Sequence, residues 1–209
     1  MVEAALPSKP GSSLRERENA MTNSIDEQDG EQTTMLTARD AYFRQNGFGE
    51  DGGYSKPWVD FKFGGVPFPF PNSAARVAAV RFHDLHHIVT GYPTTFQGEV
   101  EISAWEIGAG CKTMWFAWLI NLGGLAAGLM IAPKLTARAF ARGLASDTLY
   151  DESYDALLGQ TVAQVKRRLR LDHSPKLGAA SPSMGAAPPM GPLGWCRFAL
   201  ASILGLLVG

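Results

Sequence analysis

Residues Arg81–Glu106 read RFHDLHHIVTGYPTTFQGEVEISAWE, and the rest of the predicted fold is built around them. Three of the four histidines of the chain lie in this stretch, at His83, His86 and His87, next to Asp84. The Gly-Tyr-Pro-Thr-Thr segment that follows ends a helix, because proline lacks a backbone donor and glycine suits a helix terminus. The stretch therefore predicts two helices, over 74–90 and 95–110, joined by a short turn.

The spacing of the polar residues predicts a metal site between these two helices. On the first helix His83 and His87 lie one turn apart and point the same way. Asp84 precedes His87 by three residues and can join them on that flank. Imidazoles with carboxylates suit Zn²⁺ or a similar divalent cation, and Glu99 on the second helix is the best-placed further ligand. We expect His83, Asp84, His87 and Glu99 to face one another.

Glu106 and the remaining histidines are not predicted to bind the metal directly. Glu106 follows Glu99 by seven residues, so it lies on the same helix face and can form hydrogen bonds to the metal ligands without binding the metal itself. His86 lies about 60° or more off the ligand face, and we expect it to be structural or exposed. His173 is predicted to lie in solvent.

Composition divides the 209 residues into one domain and its flanking segments. Residues 1–35 contain Ser, Pro, Gly and charge without an apolar run, which predicts a disordered tail. Residues 36–172 have the length of a single helical domain. Residues 173–193, rich in Pro, Ala and Gly, are predicted to be a flexible linker, and 194–209 an apolar tail.

Charge and cysteine content narrow the functional classes. The net charge of −1 provides no field that would recruit nucleic acid. The two cysteines, Cys111 and Cys196, lie far apart in sequence and do not form the pattern of a disulfide-stabilised protein. This favours a reducing compartment. The chain has no Gly-x-Ser-x-Gly, Walker or dinucleotide fingerprint, so hydrolase, nucleotide and Rossmann interpretations lack support.

The predicted fold class is mainly α, a compact helical bundle with a small N-terminal aromatic β-hairpin. Residues Trp58–Phe63 alternate apolar and polar side chains, Gly64 and Gly65 follow, and 66–71 form the second arm. The prolines of that arm favour an edge strand or an extended segment.

Residues 113–133 carry no charge, and three interpretations of them stay open. They are a fully enclosed helix of the bundle, a helix that lines a cavity for a long lipid tail, or a membrane span. Gly124 and Gly128 have the small-xxx-small spacing that lets helices approach closely. The basic residues that follow at intervals of four fit anionic lipid headgroups or a solvated helix face. These residues are Lys134, Arg138 and Arg142.

The same stretch resembles the Coq-four family of coenzyme Q biosynthesis proteins. The family pattern is His-Asp-x-x-His, eleven residues and then Glu, which matches His83, Asp84, His87 and Glu99 here. The turn 90–95 and the Trp105-Glu106 pair also look like the family. The convincing match covers about 26 residues. The aromatic hairpin and the apolar tail have no counterpart in the family pattern.

This resemblance implies a metal-dependent carboxy-lyase that removes the C1 carboxylate of a polyprenylated hydroxybenzoate during ubiquinone synthesis. His83, Asp84, His87 and Glu99 would bind the divalent cation, Zn²⁺ being the first candidate. Asp84 and Glu99 are the implied catalytic residues, with Asp84 either a ligand or the base. The family implies peripheral attachment to the cytoplasmic face of a membrane: the bacterial inner membrane, or the mitochondrial inner membrane in a eukaryote. Other quinone biosynthesis proteins are the implied partners, and a homo-oligomer stays open.

The alternative is a non-catalytic scaffold that binds the prenyl lipid and organises other quinone biosynthesis enzymes. In that case the metal is structural, and the apolar helix with its glycines cradles the polyprenyl tail.

Overall fold

The computed structural model describes residues 32–63, 66–171 and 187–208. The fold is mainly helical with one small antiparallel hairpin, as the sequence predicts. The hairpin pairs β1 (Trp58–Phe63) with β2 (Val66–Pro71). The helices are α1 (Met35–Asn46), α2 (Ala74–Thr90), α3 (Phe96–Ala109), α4 (Trp115–Ile131), α5 (Pro133–Leu144), α6 (Tyr154–Leu158), α7 (Val162–Arg168) and α8 (Pro192–Val208).

The two helices of the predicted metal site have defined ends. The side chain of Ser73 accepts a hydrogen bond from the Arg76 N–H at the start of α2, and Thr95 does the same for Gly98 at the start of α3. Helix α2 ends at Gly91, whose φ of 81° is readily adopted only by glycine. Gly91 and the Thr95 cap therefore define the two ends of the turn between α2 and α3.

Helix α3 lies at the centre of the bundle and packs against α4 and α5. Its crossing with α5 depends on two glycines, because a Cβ at Gly108 would meet the Phe140 carbonyl and one at Gly143 would meet the Trp105 carbonyl. Residues 98 and 100–108 of α3 are all buried. The core around them is rich in aromatic side chains. The largest fully buried ones are Trp105, Tyr42, Tyr92, Tyr150, Phe43 and Phe140.

Helix α4 is not fully enclosed, so that interpretation of 113–133 is wrong. It buries one face against α3, while Trp115 and Met130 on the other face are 62% and 74% exposed. Gly124 packs on Ser103 of α3, and Gly128 packs between Val100 and Thr136. The two glycines therefore serve close helix packing inside the bundle.

Within the part of the chain that the structure describes, no helix combines the length and the apolar character needed to cross a membrane.

The predicted tail and linker lie largely outside the described residues, which omit 1–31 and 172–186. At the end of the predicted tail, Thr34 forms a β-bridge with Thr161 and Met35 is fully buried. Residues 194–208 of the predicted apolar tail belong to α8, a 17-residue helix that packs on α4, and residue 209 lies outside the described residues. Gly205 of α8 lies against the Leu122 carbonyl of α4, and the rings of Phe198 and Phe140 are 5.0 Å apart.

Candidate metal centre

Three side chains converge between α2 and the first turn of α3. His83 and His87 lie one turn apart on α2, and their Nε2 atoms are 3.1 Å apart. Glu99 reaches both, with Oε2 at 3.4 Å from His83 Nε2 and Oε1 at 3.4 Å from His87 Nε2. These residues form a group that could hold a metal ion. The i, i+4 spacing on one helix and the capped turn bring them together.

In both His83 and His87, the second ring nitrogen, Nδ1, lies within hydrogen-bond distance of an acceptor. Nδ1 of His87 lies 2.8 Å from the Tyr92 carbonyl, and Nδ1 of His83 lies 3.1 Å from Oε1 of Glu106. A carbonyl and a carboxylate can only accept, so both Nδ1 atoms carry the proton. In the neutral rings the Nε2 lone pairs then face each other, an arrangement that a cation between them would stabilise.

Asp84 is placed apart from this group. Among the described residues, the set of converging ligand atoms includes His83, His87 and Glu99 and does not include Asp84. Oδ2 of Asp84 instead accepts a hydrogen bond from the Tyr54 hydroxyl at 2.5 Å. Burial raises the pKa of Asp84, and the hydrogen bond from Tyr54 opposes this rise.

Beneath the group lies a buried polar network centred on Glu106. Its Oε1 accepts from Nδ1 of His86 at 2.6 Å as well as from His83, and its Oε2 accepts from the Tyr150 hydroxyl at 2.9 Å and from the Asn121 amide. Glu106 and His86 are both fully buried. His86 is therefore structural, and its Nε2 accepts from the Leu149 N–H at 3.0 Å.

The pKa directions follow from these contacts. Burial alone would lower the pKa of His83, but the charges of Glu106 and Glu99 and the hydrogen bonds to them raise it well above the ordinary histidine value. Burial alone would raise the pKa of both glutamates, but the charge of His87 and the bonds to His83 and His87 lower it for Glu99. The charges of His83 and His86, together with the hydrogen bonds that they form, likewise lower the pKa of Glu106. The site therefore carries two carboxylates with a strong preference for the ionised form.

The group is open on the Glu99 side. The Glu99 side chain is 41% exposed, whereas that of His87 is 1% exposed and stacks on the Tyr42 ring at 5.8 Å between centroids. Ligand exchange with solvent can therefore take place beside Glu99, while the histidines stay fixed by the core.

Several residues of the site were missed by the sequence analysis. Tyr54 lies in a glycine-rich segment whose carbonyls at Gly53, Tyr54 and Lys56 are held by the Asn72 amide, and no local pattern indicates this fold. Asn121 did carry a signal. It is the one polar residue in the run WFAWLINLGGLAAGLMI, and a buried amide requires a buried partner.

Comparison of the chain with protein-family models, curated proteins and solved structures finds no match to any of them. The resemblance to the Coq-four family therefore stays a prediction that rests on the motif.

Proposed function

We propose that this protein is a metal-dependent enzyme that binds Zn²⁺ through His83, His87 and Glu99. The observation that carries the proposal is the set of separations between the three donor atoms, 3.1, 3.4 and 3.4 Å. Tetrahedral zinc with bonds of about 2.0–2.1 Å separates its ligand atoms by about 3.3–3.4 Å. An octahedral magnesium shell would bring neighbouring ligands to about 2.9 Å. Two of the three separations match the tetrahedral value, and imidazole is a ligand that suits zinc better than magnesium, which supports zinc as the proposed cation.

The number of ligands supports a catalytic rather than a structural zinc. Structural zinc sites are closed by four protein ligands, whereas catalytic sites use three and keep one position open. Two imidazoles and one carboxylate converge here, and the carboxylate lies at the solvent-exposed side. This set supports binding of a substrate oxygen at the open side.

The proposed reaction is the loss of the C1 carboxylate from a polyprenylated hydroxybenzoate, as the motif resemblance implies. When bound, the metal acts as a Lewis acid that polarises a substrate oxygen. Loss of CO₂ leaves an electron pair on the ring carbon, which must take up a proton. Asp84 is the candidate to supply it, because it is the neighbour of His83 and burial raises its pKa, which favours the protonated form. Tyr54 orients the Asp84 carboxyl group through its hydroxyl.

The non-catalytic scaffold is the weaker candidate. In that interpretation Gly124 and Gly128 cradle a polyprenyl tail, yet both glycines pack against side chains of the bundle. We therefore retain the enzyme as the proposal.

A prenylated substrate would reach this site from a membrane, and we propose peripheral attachment through α4 and α8. Their outer faces expose many large apolar side chains and carry no acidic residue. The exposed ones are Trp115, Leu119, Met130, Ile131, Leu193, Trp195, Leu200, Ile203, Leu204, Leu206, Leu207 and Val208. We propose that this membrane is the inner membrane of a bacterium, at its cytoplasmic face, or of a mitochondrion. Other quinone biosynthesis proteins would be the partners there.

The attachment is tested with purified protein and liposomes of neutral or anionic lipid in a flotation assay. We expect the wild type to float with the vesicles, and the double variant Leu200→Ser/Leu207→Ser to stay at the bottom. Equal flotation of both proteins would contradict attachment through α8.

The enzymatic proposal is tested with Glu99→Gln. The carboxamide has the shape of the carboxylate but lacks its charge, so we expect loss of bound zinc by elemental analysis and loss of CO₂ release from a prenylated hydroxybenzoate. Glu50→Gln, at an exposed position, is the matched control and should keep both. Unchanged CO₂ release by a zinc-free Glu99→Gln protein would rule out metal-dependent decarboxylation.

A further inference from the structure

We infer that Glu106 is the positioning residue of the metal centre, which fixes the ring of His83 so that Nε2 faces the metal. This inference rests on the metal site proposed above. It adds a residue that is outside the four motif positions, seven residues beyond Glu99 on α3.

The hydrogen bonds of Glu106 carry the inference. Among the described residues, the carboxylate of Glu106 accepts two hydrogen bonds on each oxygen: from His83 and His86 on Oε1, and from Tyr150 and Asn121 on Oε2. With both oxygens occupied in this way, Glu106 has no capacity left to be a ligand itself. Its carboxylate is held rigidly at 0% exposure and accepts the Nδ1 proton of His83 at 3.1 Å. The only ring nitrogen of His83 left for a metal is then Nε2.

The two ligand histidines are thus supported in different ways. The Tyr92 carbonyl that accepts from His87 is neutral, whereas the partner of His83 is an ionised side chain. A charged acceptor makes the imidazole a stronger donor to a cation than a neutral carbonyl does. Glu106 also places a second negative charge below the site, beside that of Glu99, and the two together balance a divalent cation. We therefore expect the affinity for zinc to depend on Glu106 although it is not a ligand.

The test measures metal binding to Glu106→Gln and to a matched control, Tyr150→Phe. The control removes one hydrogen bond from the other oxygen of the same carboxylate and leaves the contact with His83 in place. Zinc affinity is measured by competition with a chromophoric chelator, and the geometry of the site by the visible absorption of the Co²⁺-loaded protein. We expect Glu106→Gln to bind zinc about 10- to 100-fold more weakly and to alter the Co²⁺ spectrum. Tyr150→Phe should weaken zinc binding less than Glu106→Gln does and should keep the Co²⁺ spectrum, because Oε1 still accepts from His83.

A second variant keeps the inference testable if Glu106→Gln alone unfolds. Glu106→Gln/Asn121→Asp exchanges the amide and the carboxylate between two side chains that already share a hydrogen bond. The buried charge and that hydrogen bond are kept, but His83 now faces a neutral amide. We expect at least tenfold weaker zinc binding from this folded protein.

The outcomes separate this inference from the proposed function. Wild-type affinity and spectrum in a folded Glu106→Gln or double variant would overturn the inference that the Glu106 carboxylate fixes His83 for the metal, and would leave the three-ligand site intact. Failure of the wild-type protein itself to bind zinc or Co²⁺ would overturn the metal site and the inference with it. Weaker binding with an altered spectrum supports the inference even when CO₂ release is absent from every variant.

Discussion

At the scale of single residues, burial separates the two thiols of the chain. Cys111 is fully buried, and its Sγ lies 3.7 Å from the Glu106 carbonyl. Burial raises the pKa of the Cys111 thiol, and the charge of Glu106 adds to this rise. Cys196 on α8 is exposed. The two residues should therefore differ in reactivity in the folded protein.

We predict that iodoacetamide labels one cysteine per folded chain, and that it is Cys196. Because the pKa of Cys111 is raised, little of its reactive thiolate forms as the pH increases from 7 to 9, so its labelling stays slow over this range. Mass spectrometry of the labelled peptides measures both sites. Cys196→Ser should abolish labelling until the protein is unfolded in denaturant, and rapid labelling of Cys111 in that folded variant would contradict the burial.

The bond between Tyr54 and Asp84 leads to a second prediction at this scale. Tyr54→Phe leaves a buried carboxyl group without its donor, so we expect a loss of about 1 to 3 kcal/mol in the free energy of unfolding, measured in urea. Asp84→Asn and the double variant complete the cycle. Since the two groups interact directly, the double variant should lose less than the sum of the single variants. Additive losses would show that the pair contributes nothing through its contact.

At the scale of the helices, two adjacent glycines of α4 have opposite surroundings. A Cβ at Gly124 would overlap with Ser103 of α3, whereas a Cβ at Gly123 meets nothing within 4 Å. The close approach of α4 to α3 therefore depends on one of the two glycines.

We predict that alanine has opposite effects at these positions. Gly124→Ala should destabilise the protein by about 1 to 3 kcal/mol, because the two helices must move apart. Gly123→Ala should stabilise it by about 0.5 to 1 kcal/mol, because alanine loses less backbone entropy in a helix. Urea denaturation of both variants measures the difference, and a loss of stability in Gly123→Ala equal to that in Gly124→Ala would contradict the packing described for α4.

The helices and the hairpin could be predicted because they depend on local patterns. Ser73, Gly91 and Pro93 mark the ends of α2 and the turn after it, and the i, i+4 spacing of His83 and His87 already sets their common direction. Asp84 has a contact that spacing alone does not reveal. It is rotated by about 100° from His83 around the helix, and its partner Tyr54 comes from a segment 30 residues earlier. The surroundings of α4 were equally hidden, since an uncharged run is compatible with several kinds of apolar neighbour.

At the scale of the whole molecule, a metal ion bound by His83, His87 and Glu99 would link α2 to α3 and should stabilise the entire fold. We predict that zinc at 100 times its dissociation constant adds about 2.7 kcal/mol to the free energy of unfolding, because it binds the folded state alone. Unfolding in urea with zinc and with a chelator measures this increment. His87→Gln should lack it, and an equal increment in that variant would show that zinc acts elsewhere on the chain.

The burial of α3 has a consequence for how the site moves. From residue 100 to 108 this helix is enclosed on all sides, so its amides exchange with deuterium only when the whole domain opens. Glu99 belongs to the first turn, next to the exposed Phe96, where a helix frays most easily. Of the three candidate ligands, Glu99 therefore lies in the part of α3 that opens most easily, whereas the two imidazoles lie on the neighbouring helix α2.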